Sequence, residues 1–173
     1  MWFIYLFAMV GLIASAIAHF STYAGVDPQE AFPAVWLLHV GIFVVWIPAL
    51  MVQNRLRPQN ASRDLLGGAP RWMRLLTGTL FAYALLNFIV FLLLMPNKVG
   101  GSTHRNADGT YTITKRGEVV YQMDEAGYHH YRALEVRGFS GHWMLFYSAG
   151  MTMVAAGMRA KADEKARHLP AVT

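Results

Sequence analysis

The segment LLTGTLFAYALLNFIVFLLLM, residues 75–95, contains no charged side chain. At about 1.5 Å of rise per residue, a helix over this segment matches the roughly 30 Å of hydrocarbon in a bilayer. Because lipid offers no hydrogen-bond partners to the backbone, a helix is the expected conformation. The segment therefore predicts a transmembrane helix.

Three further apolar segments of similar length cover about residues 2–20, 33–52 and 139–158. Of the 173 residues, 55 % are hydrophobic and 14 % are charged, whereas soluble domains have about 25 % charged residues. This composition excludes a disordered chain. We expect an all-α membrane protein, a four-helix transmembrane bundle that forms a single membrane domain over residues 1–173.

The charges of the loops predict how the four helices are oriented. The net charge is −2 for residues 21–32, +4 for the loop 53–74, +1 for the loop 96–138 and +2 beyond residue 158. Since Lys and Arg collect in cytoplasmic loops near helix ends, we expect both termini in the cytoplasm. The net charge of +5 then reflects topology, and the expected partner is the lipid bilayer rather than nucleic acid.

The first apolar segment has a second interpretation. Ala16-Ile17-Ala18 resembles a signal-peptidase site, at which the segment would be removed. We expect the segment to be retained as a helix instead. No Lys or Arg precedes the apolar run, and the run exceeds the about 7–15 residues of a signal-peptide core.

The chain contains no cysteine. Disulfides, cysteine-ligated zinc, iron–sulfur clusters and thiol nucleophiles are therefore excluded, as is covalent c-type haem, which needs C-x-x-C-H. The sequence also lacks a Ser–His–Asp order, a glycine-rich phosphate loop and a paired-carboxylate signature. Whether the protein is an enzyme stays open, with a non-enzyme favoured.

The loop 96–138 has a pattern of its own. Residues 110–114 and 118–122 are rich in β-branched and aromatic side chains and flank a glycine-containing turn, which predicts a β-hairpin. Asp124 is a suitable N-cap for a short helix through about Glu135. We expect the hairpin and the short helix to form an extracytoplasmic loop between the third and fourth transmembrane helices.

The end of this loop carries a distinctive motif, RGFSGHWM at residues 137–144, preceded by DGTY at 108–111 and GEVV at 117–120. Together these motifs resemble an uncharacterised family of small bacterial inner-membrane proteins. Members of that family have several helices and a strand-bearing outer loop that ends in R-G-F-S-G-H-W. The resemblance covers about residues 105–150 and implies a location in a bacterial inner membrane. It implies no mechanism, since the family has no established activity.

Six of the seven histidines fall on the predicted outer side, and only His168 lies in the tail. The candidate ligands are His19, His39 and His142 near the outer ends of three segments, and His129 in the loop. Imidazole is the commonest transition-metal ligand and an axial ligand of haem. We therefore consider a transition metal or haem at these side chains, against the default interpretation of interfacial histidines without a cofactor. The carboxylates expected to hydrogen-bond to such ligands are Asp27, Glu30, Glu125 and Glu135.

Polar and small residues inside the apolar segments have packing interpretations. Asn87 is expected to hydrogen-bond to a neighbouring helix rather than to a substrate. Gly11 and Ser15 in the first segment, like Ser148 and Thr152 in the fourth, are four residues apart. Such small pairs let helices approach closely, either within the chain or in a homodimer.

Three functions follow from these features. We favour an accessory or interaction protein whose partner is another membrane protein or a second copy of the chain. A metal- or haem-binding membrane protein is the alternative. A lipid-binding or transport module is the second alternative. It ranks last, because four spans are few for a transporter and no acidic side chain within the spans marks an ion path.

Overall fold

The computed structural model describes residues 1–56, 66, 68–95 and 101–167. His168 and the first five residues of the predicted loop, 96–100, lie outside the described residues. The helices are α1 (Trp2–Ser21), α2 (Pro28–Ala31), α3 (Leu37–Leu56), α4 (Arg71–Leu94) and α5 (Glu125–Arg167). The strands are β1 (Ser102–Arg105), β2 (Tyr111–Lys115) and β3 (Glu118–Met123), and a 3₁₀ turn at Thr22–Ala24 follows α1.

Among the described residues, three stretches of helix are long and apolar enough to cross a membrane, in agreement with the first three predicted segments. They are Trp2–Ala24, Leu37–Asn54 and Arg71–Leu94. The second begins later than the predicted residue 33. Phe32, which precedes a proline, lies outside the helical region (φ −144°, ψ 87°), and a turn over residues 33–36 leads into the helix.

The predicted short helix and the predicted fourth segment are one continuous helix, α5, of 43 residues. The expectation of two separate helices is therefore wrong. The glycines after residue 137 serve close packing instead of ending a helix. A Cβ at Gly138 would lie 2.6 Å from the ring of Phe91, and a Cβ at Gly141 would lie 2.8 Å from Nδ2 of Asn87. Glycine thus lets α4 approach the backbone of α5, which is about 65 Å long.

Helix α5 packs against α1, α3 and α4. Trp143 and Tyr147 in its middle are among the largest fully buried side chains. The ring of Tyr147 occupies the space that a side chain at Gly11 or Gly41 would need, and its hydroxyl donates to the carbonyl of Leu38 at 2.8 Å. Many large apolar side chains of α1, α3 and α4 are exposed on the outside. Helix α5, the least apolar of the long helices, is thus the one that the other three enclose.

The small residues of the predicted packing pairs are used within the chain. Gly11 and Ser15 are buried on α1, and Gly11 faces α5. Thr77 on α4 forms hydrogen bonds with Ser148 at 2.9 Å and with Thr152 at 3.0 Å on α5. Of the two predicted uses, packing inside the chain is the one observed.

The strands form a three-stranded antiparallel sheet in the order β1-β2-β3. The predicted pair of strands is therefore part of a larger sheet, in which β1 pairs with β2 through partners such as Thr103 and Ile113. The link between β2 and β3 is the two-residue turn Arg116-Gly117, with φ of 55° and 86°. Glycine at the second position suits this left-handed turn. The sheet contacts α5 through β2 and β3.

Candidate functional site

Asp27 anchors a polar cluster at the end of the molecule where α2 packs on α5. It precedes α2 and caps this helix, because its Oδ1 accepts the backbone N–H of Gln29 at 2.9 Å. Its Oδ2 lies 3.1 Å from Nδ1 of His129 and 3.2 Å from Nε of Arg132, both on α5. The side chain of Asp27 is only 2 % exposed, and buried polar groups need hydrogen-bond partners such as these.

Glu30 completes the cluster from the same short helix. Its Oε2 lies 3.3 Å from the Nδ1 of His129 that also contacts Asp27. One ligand atom from each of the three side chains lies within 4.8 Å of the other two. Glu30 is 67 % exposed and His129 30 %, so the cluster opens to solvent. We refer to Asp27, Glu30 and His129 as the rim cluster.

Hydrogen bonds outside the rim cluster hold α2 against α5. Gln29 donates through Nε2 to Oε2 of Glu135 at 3.1 Å and to the carbonyl of Arg132 at 3.4 Å. Burial raises the pKa of the Glu135 carboxyl, and the hydrogen bond from Gln29 partly offsets this. Arg132 is steadied by Tyr128, whose hydroxyl accepts from its Nη1 at 3.0 Å. The position of α2 therefore does not rest on the rim cluster alone.

The rim cluster offers one imidazole nitrogen and two carboxylate oxygens. Zn²⁺, Mn²⁺ and Fe²⁺ all accept such a donor set, provided that His129 gives up the proton on Nδ1. With that proton in place, the same Nδ1–H donates to the carboxylates, and the contact becomes an ion pair when Nε2 is protonated as well. Arg132 already contacts Asp27 through its Nε at 3.2 Å, so a metal at this position would compete with its positive charge for the carboxylate. The arrangement suits either a three-ligand metal site with open positions for water or an ion-pair network.

His19 lies fully buried where α1, α4 and α5 meet. Its Nδ1 is 2.8 Å from Oγ of Ser140 on α5. Its Nε2 forms a hydrogen bond with the hydroxyl of Tyr83 on α4. Both ring nitrogens are thus engaged with protein groups, and His19 joins three helices.

His39 and His142 have different partners again. Nδ1 of His39 accepts the indole N–H of Trp143 at 3.0 Å, which links α3 to α5. Nδ1 of His142 donates to the carbonyl of Gly138 at 3.2 Å, one turn earlier on α5. The ring of His142 packs edge-on against Phe88 at 5.0 Å between centroids.

The four histidines predicted as ligands therefore do not form one group. Within the described part of the chain, the metal-compatible cluster contains His129 but not His19, His39 or His142. Its other two members are Asp27 and Glu30, which the sequence placed beside ligands rather than among them. The available signal was the spacing of Asp27 and Glu30, which are three residues apart on either side of Pro28 and on the same predicted side as His129. Metal binding by the other three histidines stays a prediction.

The motif RGFSGHW at 137–143 is a packing device in this structure. Arg137 donates through Nε to Oγ1 of Thr22 at 2.9 Å and through Nη2 to the carbonyl of Thr22 at 2.8 Å. Its guanidinium also lies 4.0 Å from the centroid of the Tyr23 ring. Asn87 donates to the Arg137 carbonyl at 2.8 Å, which is the interhelical bond expected of it. The motif thus joins α5 to the end of α1 and to α4.

Comparison with known proteins adds no relative: the chain matches no family model, no curated protein and no solved structure.

Proposed function

We propose that this chain is a membrane protein that binds a divalent transition-metal ion at the rim cluster, with Zn²⁺ the best match to its ligands. The observation that carries the proposal is the convergence of Asp27, Glu30 and His129 within 4.8 Å, from two segments about a hundred positions apart. Zinc accepts mixed nitrogen and oxygen ligands and keeps a position open for water when the protein supplies three.

We further infer a four-span topology in a bacterial inner membrane. Three apolar candidate spans support the membrane placement, and α5 is the inferred fourth span. Its length exceeds the hydrocarbon thickness by about a factor of two. Its modest hydropathy fits a helix that faces protein on most sides. The basic loop 53–74 favours cytoplasmic termini, which puts the rim cluster outside the cytoplasm.

Zinc titration of the purified protein tests the metal site. Protein prepared in mild detergent without chelators is titrated with Zn²⁺ by calorimetry. We expect one zinc per chain, and an affinity loss of at least about tenfold in His129→Ala and in Glu30→Gln. His130→Ala is the matched control, because His130 is the adjacent histidine but not a cluster member. Equal affinities in wild type and both cluster variants refute the proposal.

The absence of cysteine makes the topology directly testable. Single cysteines introduced at Asp108, between β1 and β2, and at Ala162, near the end of α5, are exposed. In intact cells, a membrane-impermeant thiol reagent should label Asp108→Cys and leave Ala162→Cys unlabelled until the membrane is opened. The opposite labelling pattern reverses the orientation, and equal labelling of both sites contradicts α5 as a membrane span.

The accessory function predicted from the sequence has one structural feature in its favour. Strand β3 is at an edge of the sheet, and its Val119 and Val120 are 62 % and 45 % exposed. Exposed apolar edge strands are pairing sites for an extended segment of a partner. Val119→Lys should release a co-purifying membrane protein that wild type retains, while Thr103→Lys on the opposite edge should not. Retention by both variants argues against this surface.

A further inference from the structure

A groove of about 430 Å³ runs along the exposed face of α3. Its walls include Phe43, Trp46 and Leu50 from α3 and Phe146 from α5, and His39 lies at one end. Phe43 is 56 % exposed and Leu50 37 %. From His39 to Leu50 the helix rises about 16 Å. In the proposed membrane placement this groove faces lipid.

Among the described residues that line the groove, His39 is the one hydrogen-bonding side chain with a donor left over. The indole of Trp143 can only donate, so Nδ1 of His39 is the acceptor of their 3.0 Å hydrogen bond. A neutral imidazole then carries its proton on Nε2. The two ring nitrogens diverge, so this N–H points away from the buried Trp143. The other indole of the groove, Trp46, already donates to the carbonyl of Phe146 at 2.8 Å.

The chemistry of the walls narrows the occupant. The described residues that line the groove include no Lys, Arg, Asp or Glu, so they offer no charge to match the phosphate of a phospholipid. The rings of Phe43, Trp46 and Phe146 offer flat apolar surfaces, with Trp46 and Phe146 in an edge-to-face pair at 5.4 Å between centroids. A planar uncharged ring with a carbonyl oxygen and an apolar tail complements these features.

We propose that this groove binds a membrane quinone. One ring carbonyl accepts the Nε2–H of His39, the ring lies among the aromatic side chains, and the isoprenoid tail follows α3 toward Leu50. Trp143 is a positioning residue, because its indole fixes the tautomer and orientation of His39. The proposal rests on the membrane placement of α3 and is independent of the rim cluster.

Photolabelling with a defined probe tests the groove. Protein in phosphatidylcholine nanodiscs is irradiated with an azido-substituted decyl benzoquinone, and the labelled peptides are mapped by mass spectrometry. We expect saturable labelling of peptides from α3 between His39 and Leu50, and competition by unlabelled decyl benzoquinone. His39→Leu should lose about tenfold in apparent affinity, the equivalent of one hydrogen bond of about 1.4 kcal/mol. His39→Gln should retain labelling, because its amide both accepts from Trp143 and donates.

A second pair of variants keeps the test decisive if His39→Leu is unstable. Ile47→Trp fills the groove without removing a polar contact, and it should block labelling. Ile13→Trp on α1 is the matched control, since Ile13 is exposed to a similar extent but lies outside the groove. Unchanged labelling in Ile47→Trp overturns the proposal. So does unsaturable labelling spread over the exposed faces of α1 and α4, which is the result for a quinone dissolved in bulk lipid.

Discussion

His19 on α1 and Ser140 on α5 are 121 positions apart in the chain and lie side by side, with Nδ1 and Oγ 2.8 Å apart and both residues fully buried. Tyr83 on α4 holds the other nitrogen of the same imidazole. A single side chain therefore fixes the relative positions of three helices. The role of His19 in this structure is to join helices.

Replacement of His19 should destabilise the fold. In His19→Leu the hydroxyls of Ser140 and Tyr83 lose a partner, at a cost of about 2–4 kcal/mol. Thermal unfolding in detergent, followed by circular dichroism, measures the loss. A double-mutant cycle with Ser140→Ala should show a coupling of about 0.5–3 kcal/mol. Additive effects of the two substitutions contradict a direct bond between them.

A methyl group at Gly138 should be costly. Its Cβ would meet the ring of Phe91 at 2.6 Å, so Gly138→Ala should destabilise by about 1–3 kcal/mol through overpacking. Gly78 on α4 is the control, because no atom lies within 4 Å of its added Cβ. Gly78→Ala should be neutral or stabilising by up to about 1 kcal/mol through helix propensity. Thermal unfolding of both variants measures the two changes in stability. Equal changes in Gly138→Ala and Gly78→Ala are incompatible with the packing role of Gly138.

Loss of the Arg137 side chain should loosen the end of α1. Arg137→Met removes both hydrogen bonds to Thr22 and the contact with Tyr23, worth about 1.5–3 kcal/mol. Hydrogen exchange of the amides in residues 21–25 should accelerate, while the middle of α4 stays protected. Arg105→Met is the control, since its guanidinium stacks on Tyr111 at 5.6 Å far from this turn. Unchanged hydrogen exchange in Arg137→Met would show that Arg137 does not stabilise the end of α1.

Glu135 should make stability depend on pH. Burial raises the pKa of this carboxyl above its usual 4.5, so the folded protein retains a proton that the unfolded chain releases. Stability from this group is therefore present below pH 4.5 and falls as the pH rises through the raised pKa. Glu135→Gln should exceed wild type in stability above that range and lose the advantage below it. Unfolding midpoints across pH measure this, with the exposed Glu118→Gln as control; parallel profiles for Glu135→Gln and wild type oppose the assignment.

Arg132 should weaken metal binding at the rim cluster. Its Nε lies 3.2 Å from the Asp27 oxygen that a metal would use. Arg132→Met should tighten zinc binding about fivefold, since removal of a unit charge at about 4 Å in water is worth about 1 kcal/mol. Calorimetry on this variant measures the change, and circular dichroism checks its fold. An ion-pair network without metal binding predicts no zinc uptake in either protein.

The apolar segments were predictable because their pattern reflects a property of each helix alone. Runs such as 75–95 are long and uncharged whatever surrounds them, and three candidate spans correspond to them. The caps also follow from local chemistry: Asp124 accepts the N–H of Gly127 at 2.8 Å at the start of α5, as its sequence position predicts. Such features need no knowledge of the tertiary fold.

Other features depend on contacts that the sequence does not reveal. Gly138 is a residue type common at helix ends, but it lies inside α5, where the ring of Phe91 packs against it. Strand β1 is short and polar, so its sequence alone does not predict a strand. It is stabilised by its pairing with β2. The sequence predicted one member of the rim cluster as a ligand, His129. Its contact with Asp27 was not predictable, because it depends on how α2 packs on α5. A binding site depends on the distances between segments that are far apart in the sequence. The hydrophobic periodicity of each segment does not contain this information.

The enclosed position of α5 has a consequence for biogenesis. Helix α5 is synthesised after α1, α3 and α4. It is not among the helices that are long and apolar enough to cross a membrane on their own. Until it arrives, Thr77, Asn87 and His19 lack the partners that α5 supplies. A nascent chain that ends before residue 125 should therefore stay bound to the insertion machinery or be degraded. In the proposed four-span topology, entry of α5 into the membrane should therefore depend on the three helices that precede it.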